Sequence, residues 1–303
     1  MRNYPSYLAL GLDKIKEKRD ELFSRLSPCS LCPHKCGARR LENKKGTCGT
    51  ARFAKVSSYN LHFGEEPCLV GAGGSGTIFF AGCSLRCLFC QNYPISQLRY
   101  GNEVSADELA DMMLYLQNEG AENINFVTPT HFSAQILEAL VIAAEKGLRL
   151  PIVWNTSGYE ETEVLKVLDG IVDIYLPDMK YSDEELARDL SNAEGYVQKN
   201  REAILEMWRQ VGKLIVNERG VALRGLLIRH LVLPSHLENT RGVLEFLAGI
   251  DGKVAVSVMS QFFPAYRAHE RPSLNRTLSR SEWREVEQWV EEFKIVEGYV
   301  QRI

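Results

Sequence analysis

Three cysteines that lie close together in the chain have the residue type and spacing for metal chemistry. Cys83, Cys87 and Cys90 follow the apolar run 77–82, which is typical of a short buried strand. The three thiols should therefore lie on one loop at the carboxyl end of that strand. Thiolates four and three residues apart can turn inward from one loop and hold three irons of a cubane iron–sulfur cluster.

The fourth iron of such a cluster would have no ligand from this loop, because the chain contains no cysteine after Cys90. An open metal position is typical of a site where a substrate or cofactor binds the metal. The alternatives are three buried structural cysteines or a zinc site that lacks one ligand. Free cysteines seldom cluster in this way without a reactive purpose, which favours the iron–sulfur interpretation.

A second group of thiols precedes this loop. Its members are Cys29, Cys32, Cys36 and Cys48. Four thiolates at this spacing can surround one ion, and two interpretations stay open: a tetrahedral structural zinc or an auxiliary iron–sulfur cluster. All eight cysteines lie between residues 29 and 90, and such crowding in a reduced compartment indicates metal more often than disulfides. The odd cysteine, Cys68, is expected to be a structural thiol.

Composition and charge are those of an ordinary globular protein. The 303 residues are 45% hydrophobic and 25% charged, with a net charge of −3, so no basic excess indicates a nucleic-acid or membrane partner. The first residues lack the apolar core of a signal peptide, and no run approaches the ~20 apolar residues that cross a bilayer. We expect a cytoplasmic protein.

From the cysteine loop onward, strand and helix signals alternate, which predicts parallel strands with right-handed helical crossovers. The predicted strands are 77–82, 123–128, 151–155, 171–176, 226–233 and 253–259. The predicted helices are 105–118, 132–146, 160–168, 183–190, 196–211, 238–248 and 281–293, preceded by a lead helix at 7–26 and a hairpin within 52–70. Six strand–helix units predict an α/β fold, a partial (β/α)6 barrel.

Two regions follow from these signals: an N-terminal helix with a small cysteine-rich metal-binding extension at 1–70, and the barrel domain at 71–303. In parallel barrels, active sites gather at the carboxyl ends of the strands. The polar residues at those ends are Thr128, His131, Asn155, Thr156, Ser157, Asp178, Lys180, Arg229, His230 and Gln261. Any single one could instead be a helix cap or a satisfied buried group.

The cysteine motif, with Phe89 just before its last cysteine, resembles the signature of the radical S-adenosylmethionine (SAM) enzymes. Further runs at 62–67, 123–131, 173–181 and 224–234 are similar to those of the pyruvate formate-lyase activating enzyme-like (PflX) group of that family. This resemblance implies a partial (β/α)6 barrel, a 4Fe–4S cluster on the three cysteines and SAM on the open iron. One electron would cleave SAM to a 5′-deoxyadenosyl radical, which takes hydrogen from a substrate.

The resemblance also implies cofactor contacts from the middle strands. Asn155, Thr156 and Ser157 would meet SAM near its amino group, sugar and methionine end. Asp178 and Lys180 match an aspartate and lysine pair, in which the cation could bind the SAM carboxylate.

Three more residues are carried over by position. Arg229 and Gln261 would approach the carboxylate or ribose of SAM, and Phe89 would offer its backbone near the adenine. One departure is that Thr128-Pro-Thr-His131 stands where the family has Gly-Gly-Glu after the second strand. A threonine oxygen could replace that glutamate, and His131 could face the substrate or cap a helix.

The implied partners are an electron donor such as flavodoxin or ferredoxin and a glycyl-radical enzyme whose glycine is the substrate. A small molecule or another peptide as substrate is the alternative. A non-catalytic iron–sulfur protein that carries electrons or docks partners is a hypothesis of another class. The loop argues against it, because electron carriers normally saturate all four irons with protein ligands.

Overall fold

The computed structural model of the protein describes residues 5–250, 254–295 and 297–301. Its strands are β1 Ala54–His62, β2 Ser75–Phe80, β3 Asn102–Val104, β4 Ile124–Val127, β5 Ile152–Thr156, β6 Ile174–Pro177, β7 Ile215–Val216, β8 Ala222–Leu231, β9 Ala255–Met259 and β10 Gly298–Val300. Its α-helices are α1 Ser6–Leu10, α2 Leu12–Ser24, α3 Pro67–Val70, α4 Tyr93–Ser96, α5 Ala106–Asn118, α6 Ser133–Glu145, α7 Thr162–Val167, α8 Glu184–Ser191, α9 Tyr196–Val211, α10 Leu237–Ala248 and α11 Arg280–Glu292.

The strands form one sheet that is mostly parallel. Its order is β10-β9-β8-β6-β5-β4-β2-β1-β3, and all neighbours from β10 to β2 are parallel. β1 is antiparallel to β2 and β3, and β7 to β8. The six predicted strands are confirmed, although Lys253 lies outside the described residues. β10 was not predicted, because three residues are too few to show a period.

The sheet curves into a partial barrel, as predicted. The loop before β2 contains α3, whose Cys68 belongs to a buried cluster against which Tyr299 of β10 packs. The neighbouring Leu69 carbonyl accepts a hydrogen bond of 2.8 Å from Asn123, just before β4. β4 and β10 are five strand spacings apart, about 24 Å in a flat sheet, which one helical turn cannot bridge. The sheet must therefore curl around α3.

The strand residues are buried on both faces of the sheet, and successive side chains point to opposite faces, as the period of two requires. Trp154, Tyr175 and Ile228 pack in the cluster shared with the outer helices. The intervening residues pack around α3 on the concave face; they are Val153, Ile174, Leu176, Leu227 and Ala255. Two residues further along β5, β6 and β8, the side chains that point to the same concave face are those of Asn155, Asp178 and Arg229. The fold itself therefore brings polar side chains to the carboxyl end of the barrel.

The N-terminal region differs from its predictions in two places. The lead helix is interrupted at Gly11, whose φ of 87° is incompatible with a continuing α-helix, so α1 and α2 are separate. The predicted hairpin within 52–70 is wrong, because β1 pairs with β2 instead and Pro67 starts α3. None of the helices in the described part of the chain is both long and apolar enough to span a bilayer.

Candidate active site

The loop that carries the three cysteines is held on both sides by backbone hydrogen bonds. Arg86 and Leu88 donate to the carbonyls of Ser191 and Leu190, at 2.9 and 2.8 Å. The Leu88 carbonyl in turn accepts from the Arg267 amide at 2.8 Å. Because the loop is anchored to the end of α8 and to the segment after β9, its cysteines keep one position relative to the strand ends.

Each thiol of this loop has a hydrogen-bonding group nearby. The Cys83 sulfur accepts from the Leu85 amide at 3.3 Å, and the Cys87 sulfur accepts from the Ser191 hydroxyl at 3.0 Å. The third thiol, Cys90, lies 3.0 Å from the Ser96 hydroxyl. Burial raises the pKa of Cys87 to about 11 against the opposing charge of Lys180, and it raises the pKa of Cys83 further. Without metal these two thiols are protonated at neutral pH.

A charged network occupies the concave face at the carboxyl ends of β6 and β8. Asp178 accepts from the Lys180 ammonium at 2.6 Å and from the Arg229 guanidinium at 3.0 Å. Arg229 also contacts the Asn155 side-chain oxygen at 2.6 Å and Glu65 at 3.4 Å. Although burial acts to raise it, the two cations hold the pKa of Asp178 below its ordinary value. The network is therefore ionised and fixed.

Lys180 connects this network to the cysteine loop. Burial raises the pKa of both Cys83 and Cys87, and the positive charge of Lys180 opposes that rise, more strongly at Cys87. The Lys180 backbone amide donates to the Tyr196 hydroxyl at 3.0 Å, which also donates to the Ser157 carbonyl. The structure thus brings together the predicted cysteines and the predicted Asp178, Lys180, Arg229 and Asn155.

The other predicted cofactor residues lie less directly in this network. Thr156 lies on the convex side, where its hydroxyl donates to Glu160. The hydroxyl of Ser157 is buried and has no hydrogen-bond partner among the described residues. Gln261 is exposed, and its side-chain oxygen accepts from Gln301 at 3.1 Å. Phe89 is buried against Phe262, with ring centroids 5.9 Å apart. Their cofactor roles stay predictions.

Sequence reasoning missed Glu160, which is fully buried beneath the carboxyl ends of β4 and β5. One of its oxygens accepts from Thr130, Thr156 and Trp154, and the other has no partner among the described residues. Burial raises the pKa of Glu160 to about 7. A glutamate at the start of a predicted helix is typical of a solvated position, so the sequence carried no signal for this one.

A family model described as the radical SAM superfamily matches residues 77–231, just over half of the chain. The chain belongs to the radical SAM superfamily. It is 33% identical over 264 residues to an uncharacterized protein of Methanocaldococcus jannaschii, MJ0674, a match that covers 84% of this chain and 71% of the relative.

Among solved structures, methylornithine synthase (PylB) shares the fold with a TM-score of 0.50 and 15% identity, covering 74% of this chain and 70% of that one. SuiB of Streptococcus suis, solved with its precursor peptide SuiA, matches with a TM-score of 0.47 and 12% identity. That match covers 73% of this chain and 46% of SuiB.

Members of the radical SAM superfamily are radical oxidoreductases or lyases that use a 4Fe–4S cluster, SAM and a reductant. The ligands that the loop offers fit this cluster, because three thiols lie on one anchored loop beside the polar carboxyl ends of the strands. In the side-chain positions described here, no three cysteine, histidine or carboxylate groups already converge as metal ligands. The Ser191 and Ser96 hydroxyls lie 3.0 Å from the Cys87 and Cys90 sulfurs, and such hydroxyls can donate hydrogen bonds to thiolates that bind iron.

The N-terminal thiols of this radical SAM protein lie on a loop that folds back on itself. Cys29, Cys32 and Cys48 are buried and Cys36 is exposed. Burial raises the pKa of Cys32 to about 12, whereas backbone amides outweigh burial and lower the pKa of Cys36. The buried Arg40 guanidinium lies 3.9 Å from the Cys29 sulfur. Whether zinc or an iron–sulfur cluster binds these thiols stays a prediction.

His131 lies beneath the end of β2 rather than at an open surface. Its Nε2 atom is 3.2 Å from the Ala81 carbonyl oxygen, and its own carbonyl accepts from Arg40 at 2.6 Å. Burial, with the charge of Arg40, lowers the pKa of His131 to about 3. The imidazole is therefore neutral, and its contacts support the structural alternative over a direct contact with substrate.

Proposed function

We propose that the chain is a radical SAM enzyme that holds its 4Fe–4S cluster through Cys83, Cys87 and Cys90 and abstracts hydrogen from a substrate inside the barrel. The observation that supports this proposal most strongly is the anchored loop, which offers three thiols beside the ionised network of Asp178 and Lys180. When bound, the cluster supplies the electron that cleaves SAM to methionine and a 5′-deoxyadenosyl radical.

The concave network is the proposed binding site for the polar end of SAM. A carboxylate ligand would be attracted by Lys180 and Arg229, and an ammonium by Asp178. Asn155 and Ser157 would complete the contacts with neutral polar groups. Because the side chains of Asp178, Lys180 and Arg229 are at most 19% exposed, these interactions are shielded from water and hold the ligand strongly.

We propose a broader class of substrates than the resemblance implies. A glycine of a glycyl-radical enzyme is one candidate. A second candidate, a small molecule or the end of a peptide, is favoured by α3, which already fills the concave face around Val153 and Ile174. Only the carboxyl end of the barrel is then free for cofactor and substrate together, which is little room for a loop of a folded protein.

Cleavage of SAM by anaerobically reconstituted, dithionite-reduced protein tests the proposal. The parent should form 5′-deoxyadenosine and methionine, and Cys87→Ala should lose both products and most of the cluster iron. Cys68→Ala is the matched control, because that buried thiol lies outside the loop and its loss should leave the iron content unchanged. An intact cluster without cleavage would contradict the proposal and favour the electron-transfer hypothesis.

A further inference from the structure

The residues that lead into α3 reach the polar layer at the carboxyl end of the barrel. Within α3, Cys68 shares one buried cluster with Val153 and Ile174 on the concave face. Just before α3, Glu65 contacts the Arg229 guanidinium at 3.4 Å, and the Glu65 side chain is only 8% exposed. The start of α3 therefore forms the floor of the space in which SAM and substrate are proposed to bind.

Glu66 lies on this floor without a partner. Only 8% of the residue is exposed, and its Oε2 atom is buried and has no hydrogen-bond partner among the described residues. Glu66 occupies the capping position of α3, yet its side chain does not cap the helix, and no salt bridge in the described part of the chain involves it. A buried carboxylate without a hydrogen bond or counter-charge is costly, so Glu66 calls for a group that the protein itself does not supply.

The charge of Glu66 acts on groups inside the barrel. Burial acts to lower the pKa of Arg229, and the charges of Asp178, Glu66 and Glu65 outweigh burial and raise it. Burial raises the pKa of Tyr299 on β10, and the charge of Glu66 adds to that rise. Because such electrostatic effects weaken with distance, the carboxylate of Glu66 faces the concave side of the sheet near β8 and β10.

The cations on the concave face are already engaged. Each nitrogen of the Arg229 guanidinium has a polar partner, and the Lys180 ammonium pairs with Asp178 at 2.6 Å. Asp178, Glu65 and Glu66 thus supply three negative charges against the two positive charges of these cations, which leaves a formal balance of −1. A ligand with one positive charge would balance the group.

An organic cation fits Glu66 better than a metal ion does. A metal ion needs several converging ligands, and no three carboxylate, histidine or cysteine groups converge in that way within the described part of the chain. A protonated amine or a guanidinium instead binds a single carboxylate through a charge-assisted hydrogen bond, and shielding from water strengthens that bond.

We propose that Glu66 binds the cationic group of the substrate, a protonated amine or a guanidinium. The sulfonium of SAM is a second source of positive charge, but it has no N–H or O–H group and so leaves the buried Oε2 atom without a hydrogen bond. The inference rests on the proposed function, because it places the substrate beside SAM within the barrel, and it names the class to which that substrate belongs.

Butylamine and butan-1-ol are a matched pair of probes, because they share an apolar chain and differ in the charged group. In the reconstituted parent with SAM and no reductant, at constant ionic strength, butylamine at about ten times its Kd should raise the thermal unfolding midpoint by about 3 °C. Butan-1-ol should not raise it. Glu66→Gln should bind butylamine about tenfold more weakly or worse, and it should keep its affinity for SAM in equilibrium dialysis.

A second measurement needs no ligand. Glu66→Gln should raise the urea midpoint of the ligand-free protein, because it removes a buried charge that has no partner. Glu161→Gln is the matched control: Glu161 is 6% exposed, occupies the capping position of α7 without capping it and also has a buried Oε2 atom without a partner. Unlike Glu66, it has a counter-charge, Lys35, at 3.2 Å. Glu161→Gln should therefore gain no stability and should bind butylamine as the parent does.

Three results would overturn the inference. The first is a parent that binds butylamine no better than butan-1-ol, and the second is a loss of stability in Glu66→Gln, which would show that the carboxylate has a structural partner. The third is a loss of SAM affinity in Glu66→Gln as large as its loss of butylamine affinity, which would assign the negative charge to SAM. Failure of the dithionite-reduced parent to cleave SAM would contradict the proposed function alone. The binding and stability measurements need no turnover, so the two failures are distinguishable.

Discussion

At the scale of single residues, Asp178 is the carboxylate that contacts two buried cations. It contacts Lys180 at 2.6 Å and Arg229 at 3.0 Å, and all three side chains are largely shielded from solvent. In contrast, Asp189 pairs with Arg271 at the surface, where both side chains are well exposed. The same residue type should therefore make very different contributions to stability.

Asp178→Asn should lower the free energy of unfolding by about 3 kcal/mol or more, because it removes the counter-charge of the buried Lys180 and leaves Arg229 with Glu65 alone. Asp189→Asn should leave stability close to that of the parent, because surface ion pairs contribute little. Urea denaturation followed by circular dichroism compares the two variants. Similar effects of the two changes would show that the concave network is solvated rather than buried.

Glu160 should make stability depend on pH. Burial raises its folded pKa to about 7, above the unfolded value near 4.5, so its favourable contribution is complete below pH 4.5 and is lost as pH rises through about 7. The loss is on the order of 3 kcal/mol, since one pKa unit corresponds to about 1.4 kcal/mol. Glu160→Gln cannot ionise, so its stability relative to the parent should rise between pH 5 and 8.

Unfolding midpoints of both proteins across this pH range measure that effect. Glu138→Gln is a suitable control for a less buried glutamate whose pKa burial also raises. Parallel pH profiles of parent and Glu160→Gln would contradict the assignment of the shift to Glu160.

At the scale of elements, the end of β2 is restricted by the N-terminal loop. Gly82 has a φ of 86°, and an added Cβ would lie 2.8 Å from the Cys48 carbonyl oxygen and 2.9 Å from the Thr50 side chain. Its amide donates to the Ile95 carbonyl at 2.9 Å, which fixes the start of the cysteine loop. Glycine is needed here both for backbone conformation and for space.

Gly82→Ala should destabilise the protein by about 2–3 kcal/mol and reduce the iron bound after reconstitution, because the cysteine loop must move. Gly120→Ala is the control: its φ is 92°, but nothing lies within 4 Å of the added Cβ, so only backbone strain of about 1 kcal/mol applies. Thermal unfolding and iron analysis measure both effects. Equal iron content in the two variants would show that the loop tolerates the displacement.

At the scale of the whole molecule, the N-terminal region is part of the main core. Tyr7, Ile15, Leu22 and Leu26 are fully buried in the same cluster as the outer face of the barrel. The Ser6 amide also donates to Asp173, between β5 and β6, at 2.8 Å. The proposed boundary at residue 70 therefore divides the sequence by composition, whereas the packing joins both parts.

Deletion of residues 1–27 should prevent stable folding. Burial of four large apolar side chains contributes about 6–12 kcal/mol, which is comparable to the entire stability of a typical domain, about 5–15 kcal/mol. We expect aggregation or molten structure, measured by size-exclusion chromatography and near-ultraviolet circular dichroism. A monomeric truncated chain with native circular dichroism would show that the barrel folds without this region.

Some features of the chain were determined by sequence over short distances. Strand and helix periods and the three-cysteine spacing lie within a few residues, and the structure confirms the predicted strands and helices of the barrel. The capping box that Ser105 and Glu108 form at the start of α5 acts over the same short range. Local hydrogen bonds and the side-chain period act over such windows, so the sequence alone predicted the α/β fold and the position of the cysteine loop.

Other features were decided only by the tertiary structure. Glu65 meets Arg229 across 164 residues, α3 fills the barrel, Glu160 is buried rather than solvated, and the N-terminal loop lies on the cysteine loop. Burial and ion pairing depend on which distant segments pack together, and the period of a short segment carries no information about its partners.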